Sequence, residues 1–354
     1  MSFLPFSIRR FWLLARGMLV NRNKPRFDYL LSIEDPDEFV WAILPHAART
    51  FAPSILLLPE DAARAAAVGY LYARMLDSYE DLSVDHSAAR EGLSGFAGRF
   101  SSEPPGPAPP APTPPAPDAR DQTHLLLIDR HQLVDEVFMQ LSADNRSRVV
   151  QLIEDMASGM SKFSVTFETQ GGVLVDEQQV LEYCHHVIGL PALFVMELLL
   201  GDLSGEHAVD ALEVAELIQL ANITRDIEKD LARSIAYHPA LESHLGSDGR
   251  GDAAADVATA RHDLLLLGSR RAASFRRLVD GVGLPRFSSA RAAAVLMMLL
   301  TGRHYRDYSY SGERSWSTPH SFAMMILASL PAAFSPQWAD RLLVRVEEDL
   351  LAMV

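Results

Sequence analysis

Six long stretches of this sequence place apolar side chains at every third or fourth position, which is the spacing of one face of an α-helix. They cover residues 62–82, 147–163, 177–200, 208–232, 259–282 and 290–305. Patterns typical of strands are few, and the β-prone run at 163–170 ends at a Gly-Gly pair that favours a loop between helices. The chain is therefore predicted to be all-α.

Two segments interrupt the helical pattern. Residues 103–118 contain nine prolines, which cannot donate the hydrogen bonds of a helix interior, so a flexible Pro-rich surface insert is predicted there. Three glycines predict a second flexible loop at 245–256. Because the helices beside these breaks have similar composition, we predict one domain over residues 1–354, with an N-terminal helical segment at 1–44.

Composition excludes several classes of protein. The chain has 354 residues, 48% of them apolar, so it can bury a full core. A formal net charge of −14 argues against a nucleic-acid partner. The single cysteine, Cys184, excludes an intramolecular disulfide and a Cys-rich zinc site. Since 29 of the 32 basic residues are arginine, any fixed cation in a site will be a guanidinium, which suits bidentate phosphate contacts.

Nothing in the sequence is typical of a targeting segment. The first 22 residues mix aromatic and arginine side chains without the charge order of a signal peptide. A first helix packed on the body is favoured there, with an amphipathic helix that contacts a membrane as the alternative. The apolar stretch at 187–203 contains Pro191, Glu197 and Asp202, and we interpret it as too short and too polar to cross a bilayer. We expect a cytoplasmic protein, with peripheral membrane contact left open.

Two acidic clusters stand out, one at residues 70–81 and one at 219–233. Each has two aspartates four residues apart, namely Asp77 with Asp81 and Asp226 with Asp230. On a helix such a pair lies on one face, where the like charges repel. Mg²⁺ prefers carboxylate oxygen together with substrate phosphate, so facing pairs could grip a diphosphate through several Mg²⁺ ions.

The alternative is that these aspartates belong to solvated helix faces. Salt bridges to the neighbouring Arg74 and Arg225 would fit either interpretation. Both clusters lie in strongly apolar helices, however, and Asn222 adds a further oxygen ligand. Two such clusters in one chain favour a diphosphate site.

Five short motifs, in order along residues 45–310, resemble the squalene/phytoene synthase family of trans-prenyltransferases. They are the Ala-Arg-Thr-Phe stretch around Arg49, the first aspartate motif from Tyr70 to Asp81, the Gly-Met pair at Gly159, the Tyr-Cys-x-x-Val motif at Tyr183, and the second aspartate motif from Asn222 to Asp230. The resemblance implies an all-α isoprenoid-synthase-type domain around a central cavity. It also implies an enzyme that transfers a prenyl group to carbon and releases diphosphate.

The resemblance assigns roles residue by residue. It implies two to three Mg²⁺ ions held by Asp77, Glu80, Asp81, Asn222, Asp226 and Asp230. It implies diphosphate or substrate contacts from Arg49, Tyr70, Arg74, Gln219, Asn222, Arg225, Arg233 and Tyr305. Tyr183 joins the four aspartates as a catalytic candidate, orienting diphosphate, stabilising the cation or relaying a proton. Ordinary buried tyrosines are the alternative for Tyr70 and Tyr183, and helix-end packing is the alternative for Tyr305.

The sequence departs from the family in the part of the site that would bind the acceptor, and not in the part that would ionise the diphosphate. Pro191 stands where small residues are usual, and residues 309–317 lack the basic segment linked with NADPH, so NADPH is not expected. We therefore favour a short, dimethylallyl-type donor and an aromatic indole- or carbazole-like acceptor, as in the bacterial branch that prenylates carbazoles. Head-to-head condensation of two prenyl diphosphates and a non-catalytic helical interaction protein are the alternatives. The sequence leaves the oligomeric state open.

Overall fold

The computed structural model describes residues 6–21, 24–49, 51–201, 203, 205–308, 318–319 and 321–352. Over this part of the chain the regular structure is helical, and the only extended pairing is an isolated bridge between Val173 and Ala236. The all-α prediction is confirmed. The chain groups into two compact units, residues 1–164 with 194–201 and residues 165–193 with 202–354. A single domain over 1–354 stays a prediction.

The first unit is built around one long alanine-rich helix, α5. Its helices are α1 (Phe6–Leu19), α2 (Phe27–Leu31), α3 (Pro36–Ala47), α4 (Ala52–Leu57), α5 (Glu60–Leu82), α6 (His86–Gly98), α7 (Ala119–Asp129), α8 (His131–Met139) and α9 (Ala143–Thr169), whose last five residues belong to the second unit. Val68 and Leu71 of α5 are fully buried, and α3, α6, α7 and α8 pack around this helix. At Gly69 a Cβ would lie 2.7 Å from the ring of Phe194, so that close approach requires glycine.

The Pro-rich segment is bound to the first unit at several points. Tyr79 donates its hydroxyl to the carbonyl of Pro109 at 2.6 Å, and Arg99 donates to the carbonyl of Gly106 at 2.8 Å. The amide of Ala108 donates to the His131 ring at 3.2 Å. The segment has no helix and its residues are exposed or half-exposed. Its backbone thus lies along α5, α6 and α8, and its flexibility stays a prediction.

The second unit surrounds the helix that carries the second acidic cluster. Its helices are α10 (Glu177–Cys184), α11 (Leu190–Leu200), of which residues 194–200 belong to the first unit, α12 (Glu206–Ala232), α13 (Ala254–Ser269), α14 (Ser274–Gly281), α15 (Ser289–Tyr308), α16 (Phe322–Ser329) and α17 (Pro336–Leu351). α13, α14 and α15 all pack on α12. The predicted loop at 245–256 contains a 3₁₀ turn, Gly251–Ala253, and α13 begins inside it.

Two predicted helices are divided. The helix predicted at 177–200 contains a π-helical turn, His185–Gly189, between α10 and α11. Pro191 has no N–H to donate to the carbonyl of Val187, so regular α-helical bonding cannot continue there. The single helix predicted at 259–282 is wrong, because residues 270–273 form a turn that separates α13 from α14.

One helical stretch in the described part of the chain, Glu177–Leu200, is long and apolar enough to cross a membrane by length and composition alone. This differs from our interpretation of residues 187–203 as too short, because the helix begins at residue 177. Core helices of soluble proteins meet the same criterion, so localisation stays a prediction.

Candidate active site

In the first acidic cluster, one arginine joins a tyrosine to an aspartate on α5. Arg74 donates to the Tyr70 hydroxyl at 2.9 Å, and its guanidinium lies 5.7 Å from the centre of that ring. The same guanidinium pairs with Oδ2 of Asp77 at 2.9 Å. These three residues are at i, i+4 and i+7, so the helix itself holds them on one face. Three predicted site residues are therefore brought into direct contact.

The Asp77 carboxyl has an unusual environment for an acidic group. Burial raises its pKa, the Arg74 charge lowers it and Asp81 raises it, and the resulting pKa is about 6 instead of 3.8. Its second oxygen, Oδ1, is buried and has no hydrogen-bond partner within the described residues. Burial lowers the pKa of Arg74, but Tyr70 and the carboxylates outweigh it and raise that pKa. The carboxyl is thus only half satisfied by the protein.

The other predicted site residues of the first unit are Asp81 and Glu80, at the end of α5, and Arg49, which follows α3. Asp81 is exposed one turn after Asp77 on α5, and Glu80 beside it is half-exposed. Arg49 follows α3 in the left-handed region, with φ 46°, which is uncommon for a residue with a side chain. Such strain is often kept at functional positions. Thr50 of the same motif lies outside the described residues.

The second acidic cluster is a chain of hydrogen bonds along α12. Arg225 donates to both oxygens of Asp226, at 2.9 and 2.6 Å, and to the amide oxygen of Asn222 at 3.1 Å. Asn222 in turn donates to Gln219 at 3.2 Å. Asp230 lies one turn after Asp226 and is half-exposed. The helix ends at Ala232, and the amide of the next residue, Arg233, bonds to the Asp230 carbonyl at 3.0 Å.

Residues from α13 and α15 flank this cluster, and the sequence analysis missed Arg261 and His304 among them. Arg261 donates to the carbonyl of Thr224 at 3.0 Å and lies 5.4 Å from the centre of the Tyr308 ring. Burial, and then the charge of Arg225, lower the pKa of His304 to about 4. Neither Arg261 nor His304 belongs to a recognisable motif, and only packing of the helices brings them to α12.

Tyr183 lies in a buried aromatic group. Its ring centre is 5.1 Å from that of Tyr237 and 6.1 Å from that of Phe167, and its hydroxyl accepts a hydrogen bond from the Tyr237 hydroxyl at 3.2 Å. The Tyr183 side chain keeps 7% of its exposure. The structure thus gives Tyr183 a packing role, and its catalytic role stays a prediction.

Tyr305 lies in the core of the second unit, and its substrate contact stays a prediction. Its side chain is fully buried, and its hydroxyl donates to the carbonyl of Leu217 at 2.9 Å. A Cβ at Gly268 would collide with that hydroxyl. Tyr305 therefore belongs to the core between α12, α13 and α15, because three helices close around it.

Residues 309–317, where we compared the sequence with the basic segment linked with NADPH, lie outside the described residues.

The donor set of both clusters suits Mg²⁺. Over the described part of the chain, no group of three or more His, Cys, Asp or Glu side chains forms a preassembled metal site. Mg²⁺ does not need one, since it commonly takes one or two carboxylates and completes its shell with water and substrate phosphate. The buried, unpartnered Oδ1 of Asp77 is an oxygen that a cation would satisfy. The carboxylates present are therefore suitable ligands for Mg²⁺. Asp77 and Asp81 belong to the first unit, and Asp226 and Asp230 belong to the second.

Comparison with known proteins settles the family. Residues 44–318, which include both acidic clusters, match squalene/phytoene synthase. The chain belongs to the squalene/phytoene synthase family. Membership supports a prenyl-transferring enzyme, and the family is generally Mg²⁺-dependent. A comparison with curated proteins finds no match for this family member.

Solved structures of a squalene synthase share the fold of this family member. The complex of TcSQS with the ligand BPH1237 has a TM-score of 0.63 and 17% identity, covering 91% of this chain and 96% of that chain. The complex of TcSQS with E5700 has a TM-score of 0.64 and 16% identity, covering 91% and 99%. At this identity the likeness concerns the fold alone, which is the all-α isoprenoid-synthase type.

Proposed function

We propose that the protein ionises an allylic prenyl diphosphate in the presence of Mg²⁺ and transfers the prenyl group to a carbon atom of an acceptor. The observation that carries the proposal is the half-satisfied Asp77: one oxygen pairs with Arg74, and the other is buried without a partner. A structural ion pair would normally engage both oxygens or leave the second in water. A carboxylate in this state is suited to a cation.

On α5, the carboxylates of Asp77 and Asp81 would hold the metal. Arg74 would then exchange its contact with Asp77 for a diphosphate oxygen, since a guanidinium recognises phosphate bidentately. Tyr70, which accepts a hydrogen bond from Arg74, would keep that guanidinium in place. Bound Mg²⁺ would neutralise the charge that develops on the leaving diphosphate.

On α12, Asp226 and Asp230 would hold metal in the same way, with the amide oxygen of Asn222 in support. Arg225 now neutralises Asp226 through two hydrogen bonds. A diphosphate would compete for this guanidinium and leave Asp226 available. In both clusters an arginine is thus paired with a carboxylate that would bind the cation. The same arginine could bind the diphosphate.

Head-to-head condensation of two prenyl diphosphates is the first candidate reaction. It is supported by the family match over residues 44–318 and by a fold shared with a squalene synthase along 91% of this chain. In this case the acceptor is a second prenyl diphosphate, and a long apolar pocket is required. The products would be presqualene diphosphate, or dehydrosqualene or phytoene after loss of a proton, and squalene only if a hydride donor such as NADPH is supplied.

Transfer of a short prenyl group to an indole- or carbazole-like ring is the second candidate. It is supported by the π-helical turn His185–Gly189, which ends two residues before Pro191 in the helical stretch that carries the tyrosine motif. π-Turns reshape a helix and often occur at functional sites. A changed helix here would alter the pocket for the acceptor and leave the aspartate motifs intact.

Product analysis by mass spectrometry separates these candidates. The purified protein is incubated with Mg²⁺ and dimethylallyl, farnesyl or geranylgeranyl diphosphate, each with and without an indole or carbazole. A C30 or C40 product from one donor alone supports condensation, whereas a prenylated ring supports the aromatic acceptor. No consumption of any allylic diphosphate would contradict the proposal and favour a non-catalytic protein.

A further inference from the structure

A basic cavity lies at the N-terminal side of the first unit. It has a volume of about 510 Å³ between α1, the chain that enters α2, and α3. Its lining includes Trp12, Arg16, Lys24, Arg26 and Tyr29. No acidic side chain of the described residues lines it, although the whole chain has a formal net charge of −14. The cavity is therefore a local positive site on an acidic protein.

Aromatic rings hold the arginines of this cavity. The Arg16 guanidinium lies 5.3 Å from the ring centre of Trp12 and 5.0 Å from that of Tyr29. Arg26 lies 5.9 Å from the same Tyr29 ring. Within the described residues, Arg16, Lys24 and Arg26 form no ion pair with a carboxylate. The two guanidinium groups are thus oriented by rings, and all three cations are available to an anion.

The neighbouring acidic groups are engaged in the protein. A second cavity of about 400 Å³ continues beyond Trp12, Arg16 and Tyr29 and is lined by Asp35 and Glu38. Asp35 caps α3 by accepting from the Glu38 amide, and Glu38 accepts from the Tyr29 hydroxyl at 2.8 Å. These carboxylates are bound to α3 and Tyr29, and they line the second cavity and not the basic one.

Helix α1 is anchored to the unit on one side and apolar on the other. Arg9 pairs with Asp37, and Arg10 donates to the carbonyl of Leu58 at 2.8 Å. Leu13 and Leu14 are buried. On the outer face, Phe11 is 62% exposed and Trp12 is 43% exposed. Two large aromatic side chains therefore extend into solvent beside the basic cavity.

We propose that α1 and the basic cavity bind the surface of an anionic phospholipid bilayer. Phe11 and Trp12 would enter the boundary between headgroups and acyl chains, where aromatic side chains are favoured. Arg16, Lys24 and Arg26 would contact lipid phosphates, and cations beside an amphipathic helix are attracted to anionic lipids. An anionic bilayer surface therefore accounts for both the exposed aromatic side chains of α1 and the basic side chains of the cavity. The site is separate from the acidic clusters and does not depend on the proposed reaction.

Vesicle sedimentation with the purified full-length chain tests the proposal. The probes are vesicles of phosphatidylcholine alone and of phosphatidylcholine with phosphatidylglycerol. We expect binding only to the anionic vesicles and its loss at high salt, because salt screens exposed charges. Lys24→Gln with Arg26→Gln should weaken binding about fivefold for each charge removed, hence about 25-fold. Phe11→Ser should also weaken it.

Matched controls use exposed residues of the second unit. Arg341→Gln with Arg345→Gln removes the same charge, and Phe287→Ser removes an aromatic side chain that is 68% exposed. Both should leave vesicle binding unchanged, and thermal melting verifies that every variant folds. Equal binding to neutral vesicles, no binding, or equal losses in control and test variants would overturn the proposal. Stabilisation by inorganic phosphate that the Lys24/Arg26 variant loses, without vesicle binding, would identify a site for a free anion and overturn it too.

Discussion

Arg74 pairs with only one carboxylate oxygen of Asp77, and the other oxygen is buried with no hydrogen-bond partner in the described part of the chain. Leaving a buried polar atom unsatisfied costs about 1–3 kcal/mol. An asparagine has the same shape and would avoid burying a charge at this position, but the chain has an aspartate. We infer that Asp77 provides affinity for a cation and lowers the stability of the protein without one.

The first prediction is that Asp77→Asn stabilises the protein in EDTA. Between about pH 4 and 6 the folded protein keeps a proton on Asp77 that the unfolded chain has released, so stability falls as the pH rises through this range. The difference corresponds to at most about 3 kcal/mol, and because the side chain keeps 21% of its exposure, we expect about 1–2 kcal/mol at neutral pH. Thermal melting should show a higher Tm for the variant at neutral pH and equal values near pH 4.

Asp155→Asn is the control for this prediction, since that exposed carboxylate on α9 accepts a hydrogen bond from Gln151 at 2.8 Å. It should change the Tm little at either pH. A loss of stability in Asp77→Asn at neutral pH would mean that the ion pair with Arg74 outweighs burial.

The second prediction concerns Asp81→Asn and Asp226→Asn. Each should lower kcat at least about 100-fold, because charge stabilisation of the leaving group is lost. Asp81 is exposed, and the pair of Asp226 with Arg225 is partly exposed, so unfolding free energies should change by less than about 1 kcal/mol. Diphosphate release and thermal melting measure the two effects. Full activity in either variant would contradict the metal assignment.

The third prediction is a pH dependence from His304. Its folded pKa is about 4 against 6.5, so between these values the unfolded chain binds more protons, and stability falls as the pH is lowered. His304→Gln should reduce the loss of stability between about pH 7 and 4.5 by about 1–2 kcal/mol. The matched control is His262→Gln, at an exposed position on α13. Identical slopes in wild type and His304→Gln would contradict the burial of this ring.

The fourth prediction separates packing from substrate binding at Tyr305. Tyr305→Phe should cost about 1 kcal/mol of stability and preserve kcat, because its hydroxyl serves the Leu217 carbonyl. Gly268→Ala should cost about 2–4 kcal/mol, since the added methyl collides with that hydroxyl. Thermal melting of both variants and of their double variant measures the effects.

In the double variant, Tyr305→Phe should relieve part of the cost of Gly268→Ala, giving a favourable coupling energy. A Tyr305→Phe variant that is fully stable but inactive would instead restore the substrate contact expected from the sequence.

The helical periodicity predicted the long helices well because it depends on local sequence alone. The helix predicted at 62–82 is found as Glu60–Leu82, and that predicted at 208–232 as Glu206–Ala232. The π-turn before Pro191 and the break after Ser269 were not predicted, since apolar spacing continues through both. Such features depend on which backbone hydrogen bonds can form, and apolar spacing does not report them.

The candidate site was predictable where it lies within one helix. Spacing alone places Arg74 next to Asp77 and Asn222 next to Arg225, and the structure has both contacts. The burial of a side chain, in contrast, depends on packing between helices and could not be predicted from spacing. The burial of Tyr305 requires Gly268 from another helix, and the approach of Arg261 to α12 requires the packing of α13. Contacts between distant segments leave no local pattern in the sequence.

Release of inorganic diphosphate from an allylic prenyl diphosphate tests the central claim most directly. With Mg²⁺ and a suitable acceptor, the wild-type protein should release diphosphate in step with a new carbon–carbon-linked product. EDTA, or Asp77→Asn with Mg²⁺, should abolish both signals while the protein stays folded. Equal release with EDTA, or full activity of Asp77→Asn, would contradict the claim that these carboxylates hold the metal that ionises the substrate.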